Sequence, residues 1–391
     1  MRIGVRICLL VWCVTLGAGM AFPQTPVSQR TFVGSARGGL CHPDVYATWK
    51  KTRMANVVRD PKLYPEAVLG DFSHTDPVRT FDLSQVAFVY GSRWKQRYFA
   101  KQGDDYYALP TQWDIKHRKW LPFHVEKNGD WWVPYYPESN SERPTGTLCD
   151  GCHSVNYDPA AKAPTEWNVG CEKCHGPGSE HVERPSKDNI VNPAKLDFVR
   201  ANDVCIQCHS QGRPLTNPIE GRYFWQFEDR IFGQKDFYYF QDGTAHKNRM
   251  QGNDFSQSVM YHRGVRCFDC HDVHSDRFES DLIAPPADND ACLHCHGPDT
   301  VPGPHMPIAQ HTHHAPTSAG SQCIACHMPQ IEVTLGDQFV AAHTFRFISP
   351  QLTKQFGISN ACNSCHADKN PDWALQQLSS WQTVSPWRVL Q

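Results

Sequence analysis

The residues of this chain with the clearest chemistry are cysteines and histidines in the repeated order CxxCH. On one helical turn, residues i, i+3 and i+4 share a face, so both sulfurs and the imidazole can reach one porphyrin. CxxCH is the attachment signal of c-type haem. Seven copies take 14 of the 17 cysteines. They are Cys149-Cys152-His153, Cys171-Cys174-His175, Cys205-Cys208-His209, Cys267-Cys270-His271, Cys292-Cys295-His296, Cys323-Cys326-His327 and Cys362-Cys365-His366.

Structural zinc sites are the alternative use of cysteine and histidine. Such sites need four ligands in two paired halves, and they do not require a histidine directly after the second cysteine every time. The repetition of the complete CxxCH pattern therefore favours seven covalently bound haem c groups.

An incomplete copy lies at residues 38–42, GGLCH, where Gly38 replaces the first cysteine. One interpretation is an eighth haem, held by a single thioether at Cys41 and ligated by His42. The other is a lost haem site with a leftover thiol. An unpaired thiol is a liability in an oxidising compartment, which favours the haem. Met54 is a candidate second ligand through its thioether, or a core residue, since methionine fills gaps well.

The composition suggests a protein that depends on its cofactors for a core. The chain has 391 residues, of which 40% are hydrophobic, and a mean hydropathy of −0.54. Porphyrins would supply apolar surface to bury, and without them the chain should be largely unfolded. A net charge of −2 and the lack of a basic tract argue against nucleic acid as a partner.

Residues 1–21 have the organisation of a secretory signal. Arg2 and Arg6 precede the apolar run Ile7 to Leu16, and Gly19-Met20-Ala21 fits a cleavage site. The apolar run is short for a spanning helix. We therefore expect an exported bacterial protein, periplasmic or extracellular, with no membrane span after cleavage.

The elements that position the motifs are expected to be short, because 22 to 62 residues separate successive first cysteines. Residues 76–137 contain no cysteine and many aromatic residues. With hairpin signals at Asn128-Gly129 and, more weakly, at Gly103-Asp104, they predict a small β module. Trp373 to Leu378 predicts an amphipathic helix.

The expected fold is mostly irregular α with little regular secondary structure, short helices around covalent haems and the aromatic-rich β module. The expected division is a signal peptide at 1–21, an N-terminal segment with the degenerate site at 22–75, the β module at 76–137 and a multihaem domain at 138–391.

The chain has 14 histidines outside the intact motifs, and haem irons need a second axial ligand. His274 lies three residues after His271. It is too close on the same turn to reach the opposite face of the same iron. We therefore expect it to ligate a neighbouring haem, so that one segment holds two haems.

Several stretches resemble multihaem cytochromes related to cytochromes c-552 and c-554. The family usually has a cysteine where this chain has Gly38, and many members carry C-terminal tetratricopeptide repeats, a pattern absent from these 391 residues. The matching stretches follow the family's order and are FVGSARGGLCHPDVYATWKKTRMAN, GSRWKQRYF, YALPTQWD, GCEKCHGPGSEHV, DFSQSVMYHRGVRCFDCHDVHS, CIACHMP and NACNSCHADK.

The resemblance implies mostly bis-histidine haems in close pairs. The second ligands that it implies are His74, His181, His246, His274, His313 or His314, and His343. The histidines that it leaves unassigned are His117, His124, His262, His294, His305 and His311.

Bis-histidine iron has no open position for a substrate, so such haems transfer single electrons. We therefore expect an electron carrier between unknown redox partner proteins, with no catalytic residues. One alternative is a reductase of a small nitrogen or sulfur compound, with an open haem at the degenerate site. Another is a subunit of an extracellular filament, a redox complex or a homo-oligomer.

Overall fold

The structure is a computed structural model. It describes residues 30–123, 144–210, 213–214, 225–226, 239–240, 242–245, 251–285, 287–297, 300, 306–332 and 338–381. The predicted signal segment and the predicted hairpin at Asn128-Gly129 lie outside these residues. In the described part of the chain, no helix has both the length and the apolar character needed to cross a membrane.

The helices are short, as the motif spacing predicts, and several begin at a polar capping residue. The side chains of Asp197, Ser349 and Asn370 accept hydrogen bonds from first-turn amides, which satisfies groups that a helix start leaves unpaired. The described residues contain α1 (Ser35–Gly39), α2 (Pro43–Trp49), α3 (Gly151–His153), α4 (Cys171–His175), α5 (Ser179–Glu183), α6 (Phe198–His209), α7 (Gln251–Phe255), α8 (Val259–His262), α9 (Asp290–His296), α10 (Ile308–Thr312), α11 (Cys323–His327), α12 (Pro350–Phe356), α13 (Ala361–Cys365) and α14 (Pro371–Ser379).

A five-stranded antiparallel sheet follows the N-terminal helices, with its strands in sequence order. The strands are β1 (Val58–Arg59), β2 (Phe88–Tyr90), β3 (Lys95–Gln102), β4 (Asp105–Asp114) and β5 (Lys119–Pro122). Gln102 pairs with Asp105, so Gly103-Asp104 forms a two-residue turn, and Gly103 has the left-handed φ of 61° that such a turn requires. The sheet begins at β1, before the range predicted for the β module.

The sheet separates two aromatic clusters. One is the module's own core and contains Phe81, Val86, Val89, Tyr98, Trp113 and Trp120. The other contains Val58, Tyr90 and Phe99, and Cys149 and Trp167 pack against it. The second face of the sheet therefore supports the first intact motif. There Tyr90 donates a 2.7 Å hydrogen bond to the buried carboxylate of Asp150.

The remaining strands form three two-stranded pairs between the motifs. They are β6 (Ser154–Val155) with β7 (Glu166–Trp167), β8 (Arg213–Pro214) with β9 (Trp225–Gln226), and β10 (Gln330–Glu332) with β11 (Phe339–Ala341). Helix α14 contains the segment predicted as amphipathic and buries Ala374 and Leu378.

Candidate haem centres

Each CxxCH motif lies on or beside a single helical turn. The backbone N–H of His271 donates to the carbonyl of Cys267 at 3.0 Å, and that of His366 donates to Cys362 at 2.8 Å. These i to i+4 bonds place the two sulfurs and the imidazole on one face of the turn. The local geometry is therefore the one that attachment to a single porphyrin requires.

Five motif histidines, with His42 of the incomplete motif among them, lie opposite a second imidazole. The two rings of each pair are inclined by 8° to 36°. The distances between ring centroids are 6.4 Å for His42 and His181, 6.1 Å for His175 and His274, 6.4 Å for His271 and His343, 6.4 Å for His327 and His311, and 6.3 Å for His366 and His314.

These separations fit one iron between each pair. A ligating nitrogen lies about 1.1 Å from its ring centroid and about 2.0–2.1 Å from a first-row metal ion, so two imidazoles on one ion have centroids about 6.3 Å apart. All five pairs lie within 6.1–6.4 Å. With thiols beside each motif histidine, the donor set fits haem c.

Hydrogen bonds to the outer ring nitrogens orient these imidazoles. The Nδ1 atoms of His175, His271 and His343 lie 2.8–2.9 Å from backbone carbonyl oxygens, so each Nδ1 donates a proton. His181 and His314 have the same kind of contact, at 3.0 and 2.6 Å. A protonated Nδ1 leaves the Nε2 lone pair available to a metal, which is the usual arrangement of a ligating histidine.

Burial favours the neutral, ligating form of several of these rings. Removal from water lowers the pKa of His175, His311 and His327 below the usual histidine range. The same cause lowers the pKa of His343 to about 4. These rings are therefore uncharged near neutral pH, as a metal ligand must be.

The segment Gly264 to Ser275 connects two of the opposed pairs. His271 faces His343, whereas His274 faces His175 of the second intact motif. This arrangement supports the prediction that His274 serves a neighbouring haem. The segment therefore lies between two centres whose other ligands come from residues 175 and 343.

The N-terminal segment is fastened to the second motif by the carboxylates of Glu166 and the buried Glu172. Glu172, inside that motif, accepts hydrogen bonds of 2.7–3.0 Å from the amides of Val33, Gly34 and Gly178. Glu166 accepts from the backbone and hydroxyl of Ser35. These bonds fix the start of α1 and place the incomplete motif beside α4.

The HTHH stretch at residues 311–314 supplies two ligand candidates, one of which the sequence left unassigned. Helix α10 ends at Thr312, and His313 adopts a left-handed φ of 56°. The turn directs His311 toward His327 and His314 toward His366, while the ring of His313 stacks on Trp381 at 4.2 Å. His311 lies three residues before His314, the same spacing as between His271 and His274, and this spacing could have identified it as a ligand candidate.

The other predicted second ligands are placed as follows. Met54 lies on a short 3₁₀ helix, where its carbonyl accepts a hydrogen bond from Val169, and the ring opposite His42 is that of His181. His74 is exposed, and its carbonyl accepts from Arg79. His246 lies outside the described residues, as do His124 and His305. The second ligands of His153, His209 and His296 stay predictions.

Contacts between sulfur atoms connect one motif to the next. Hydrogen bonding with Cys267 and burial raise the pKa of Cys205, and hydrogen bonding with Cys292 lowers the pKa of Cys323 to about 7. The side chains of Cys152 and Cys208 also form a hydrogen bond. In the haem-loaded protein these sulfurs would be thioethers, so the contacts matter here as proximity. They place the first motif beside the third, the third beside the fourth, and the fifth beside the sixth.

Electrostatic interactions between cysteines of different motifs show which other motifs are neighbours. Burial and then the neighbouring Cys205 raise the pKa of Cys174 to about 12. Burial, followed by Cys292, raises the pKa of Cys270 to about 11. Burial and Cys362 do the same for Cys326, also to about 11. Each intact motif is therefore linked to at least one other, and the third motif neighbours the first, the second and the fourth.

Comparisons with known proteins agree with these features. The family model described as cytochrome c554 and c-prime matches residues 135–176. The dissimilatory sulfite reductase MccA of Wolinella succinogenes is 21% identical over 383 residues, covering 76% of this chain and 50% of that protein. The multiheme cytochrome MtrA of Shewanella baltica is 24% identical over 232 residues, covering 52% of this chain and 67% of that protein. The chain thus spans half the length of the sulfite reductase.

Two solved structures share the fold. The outer cell wall cytochrome OcwA superposes with a TM-score of 0.67 and 20% identity, covering 90% of this chain and 87% of that one. The undecaheme cytochrome from the S-layer of Carboxydothermus ferrireducens superposes with a TM-score of 0.52 and 18% identity, covering 88% of this chain and 59% of that one. The seven CxxCH motifs, the family-model match and these relatives support a multihaem c-type cytochrome family for this chain.

Proposed function

We propose that this cytochrome is an exported electron carrier with seven haems bound at its CxxCH motifs, most of them ligated by two histidines. The observation that carries the proposal is the set of four opposed imidazole pairs at intact motifs, each 6.1–6.4 Å between centroids. When bound, haem supplies one-electron chemistry at its iron. Where two histidines would hold the iron, no position would be left open for a substrate.

The protein's part is to hold the centres close together and in order. The sulfur contacts from Cys152 to Cys208, from Cys205 to Cys267 and from Cys292 to Cys323 make three pairs of motifs neighbours. The segment Gly264 to Ser275 joins two centres through His271 and His274. Electrons can therefore move between adjacent centres without any residue changing its ligation.

The partners are proposed to be redox proteins outside the cytoplasm. Two relatives point that way, since one is named an outer cell wall cytochrome and another comes from an S-layer. The signal-like residues 1–21 agree with export. A place in a larger extracellular redox assembly remains compatible with this role.

Voltammetry of the full haem-loaded protein adsorbed on an electrode tests the carrier proposal. We expect reversible one-electron waves whose integrated charge corresponds to all bound haems, unchanged by sulfite or nitrite. A catalytic current with either compound would contradict a pure carrier role.

The second candidate is a reductase of a small sulfur or nitrogen compound, favoured by the 21% identity to a dissimilatory sulfite reductase. The incomplete motif no longer suits the required open haem, because His181 lies opposite His42. A catalytic centre would have to lie at one of the other motifs. A current with sulfite, lost on changing only one motif histidine, would support the reductase.

A further inference from the structure

The incomplete motif retains the helical turn of the intact ones. The N–H of His42 donates to the carbonyl of Gly38 at 3.0 Å, and that of Cys41 donates to the same carbonyl at 3.1 Å. The matching bond from His271 to Cys267 is also 3.0 Å long. Loss of the first cysteine has therefore left Cys41 and His42 in the relative positions that haem attachment requires.

A second imidazole faces this motif as one does in intact motifs. The rings of His42 and His181 lie 6.4 Å apart and are nearly parallel, at 11°. The Nδ1 atom of His181 lies 3.0 Å from both the Ser186 carbonyl and the Asn189 side-chain oxygen. Nδ1 therefore donates its proton there, and Nε2 is left to bind a metal.

The helix that carries His181 is fastened to the segment that carries Cys41. The amide of Thr31 donates to the hydroxyl of Ser179 at 2.9 Å, and Arg30 pairs with Glu180 at 2.8 Å. Glu172 binds the amides of Val33 and Gly34. The opposed pair is thus fixed by several contacts across about 140 residues of sequence.

From this geometry we infer that Cys41, His42 and His181 bind an eighth haem, attached by one thioether and ligated by both histidines. In the attachment, the S–H bond of Cys41 breaks and an S–C bond forms to one vinyl carbon. The hydrogen goes to the other vinyl carbon, so no electrons are gained or lost. The second vinyl group stays intact because Gly38 has no sulfur.

This haem would extend the series of centres toward the surface. Ser35, at the start of α1, accepts a 2.8 Å hydrogen bond from the amide of Cys171 in the next motif. Cys41 and His42 are exposed, and Leu40 between Gly39 and Cys41 is 72% exposed. The inference rests on the proposed electron-transfer role and adds an end point at which a partner could exchange electrons.

Intact mass under denaturing conditions tests the attachment. The full chain, matured in a host that assembles c-type cytochromes, should carry eight whole haem masses. Cys41→Ser should carry seven, and the matched control Leu40→Ser should carry eight. A wild-type mass with seven haems would overturn the inference and leave the seven-haem carrier proposal standing. Fewer than seven would instead count against the carrier proposal.

A second variant tests the single thioether without removing a ligand. A Cβ added at Gly38 meets no atom within 4 Å, so Gly38→Cys should fit without strain. Its mass should still correspond to eight haems. The absorption spectrum of the haems in alkaline pyridine should shift toward that of haem with two thioethers. The size of the shift should correspond to one haem in eight. An unshifted spectrum would contradict a free vinyl group at this site.

Spin state tests the second ligand. His181→Ala should convert one iron in eight to high spin and allow it to bind CO, while Met54→Leu should change neither property. The opposite outcome, an effect of Met54→Leu alone, would assign the second ligand to Met54 and overturn the role of His181.

Discussion

Replacing Glu172 by glutamine should release the N-terminal segment that carries the incomplete motif. The Glu172 side chain is buried, with 5% exposure, and its two oxygens accept from three backbone amides. A glutamine of the same shape keeps one acceptor and turns an NH₂ group toward at least one amide donor. A hydrogen bond to a charged group contributes roughly 1.5–3 kcal/mol, and an unsatisfied buried group costs about 1–3 kcal/mol.

We therefore expect Glu172→Gln to weaken this attachment by about 2–3 kcal/mol, which corresponds to opening that is roughly 25- to 140-fold more frequent. Hydrogen exchange measured by mass spectrometry should report it directly, because the amides of Val33 and Gly34 are the donors. Exchange should accelerate in peptides covering residues 30–42. Peptides from β3 and β4 should not change.

Glu180→Gln is the matched control, since Glu180 pairs with Arg30 near the surface, where their side chains are 23% and 39% exposed. Such a pair contributes about 1 kcal/mol or less. Equal protection of residues 30–42 in Glu172→Gln and the wild type would refute the argument that this carboxylate holds the segment.

Three further outcomes follow from the structure. His343→Ala should make the iron at His271 high-spin and able to bind CO, whereas His313→Ala, whose ring stacks on Trp381, should leave all spin states unchanged. Lys95→Met should lower the free energy of unfolding, measured in urea, by about 3–5 kcal/mol, because it leaves the Asp114 carboxylate buried without its 2.6 Å partner. Lys354→Met, which removes an exposed ion pair, should lower it by about 1 kcal/mol or less. Burial acts to raise the pKa of Asp114, but hydrogen bonds from Lys95 and His117 outweigh it and lower that pKa from 3.8 to about 2. A lowered pKa gives stability that is present above the unfolded value and lost as the pH falls, so the stability gap between the wild type and Asp114→Asn should shrink between about pH 4 and pH 2.

Local patterns in the sequence were sufficient to predict the helical turn of the CxxCH motifs. The CxxCH spacing is itself a helical turn, so the placement of Cys267, Cys270 and His271 needs no information from elsewhere in the chain. The three-residue separation of His271 and His274, too short for both to reach opposite faces of one iron, is equally local. The turn at Gly103-Asp104 was predictable for the same reason, since its residues suit a two-residue hairpin.

Ligand pairing across the chain could not be predicted in this way. His42 faces His181 because carboxylates join segments about 140 residues apart, and no local pattern encodes that contact. The choice between His311 and His313 depends on the left-handed backbone at His313, which turns one ring toward Trp381. Strand β1 has only two residues and pairs with β2 some 30 residues later, so its pattern is too short to recognise.

Near-infrared magnetic circular dichroism of the oxidised, fully loaded protein tests the central claim most directly. This measurement distinguishes low-spin iron with two histidine ligands from iron with a histidine and a methionine, and from high-spin iron. The four opposed pairs at intact motifs predict bis-histidine intensity equivalent to at least four haems, and the His42–His181 pair adds a fifth if the eighth haem is bound, with no histidine–methionine signal. Bis-histidine intensity equivalent to fewer than four haems would contradict the proposed bis-histidine carrier.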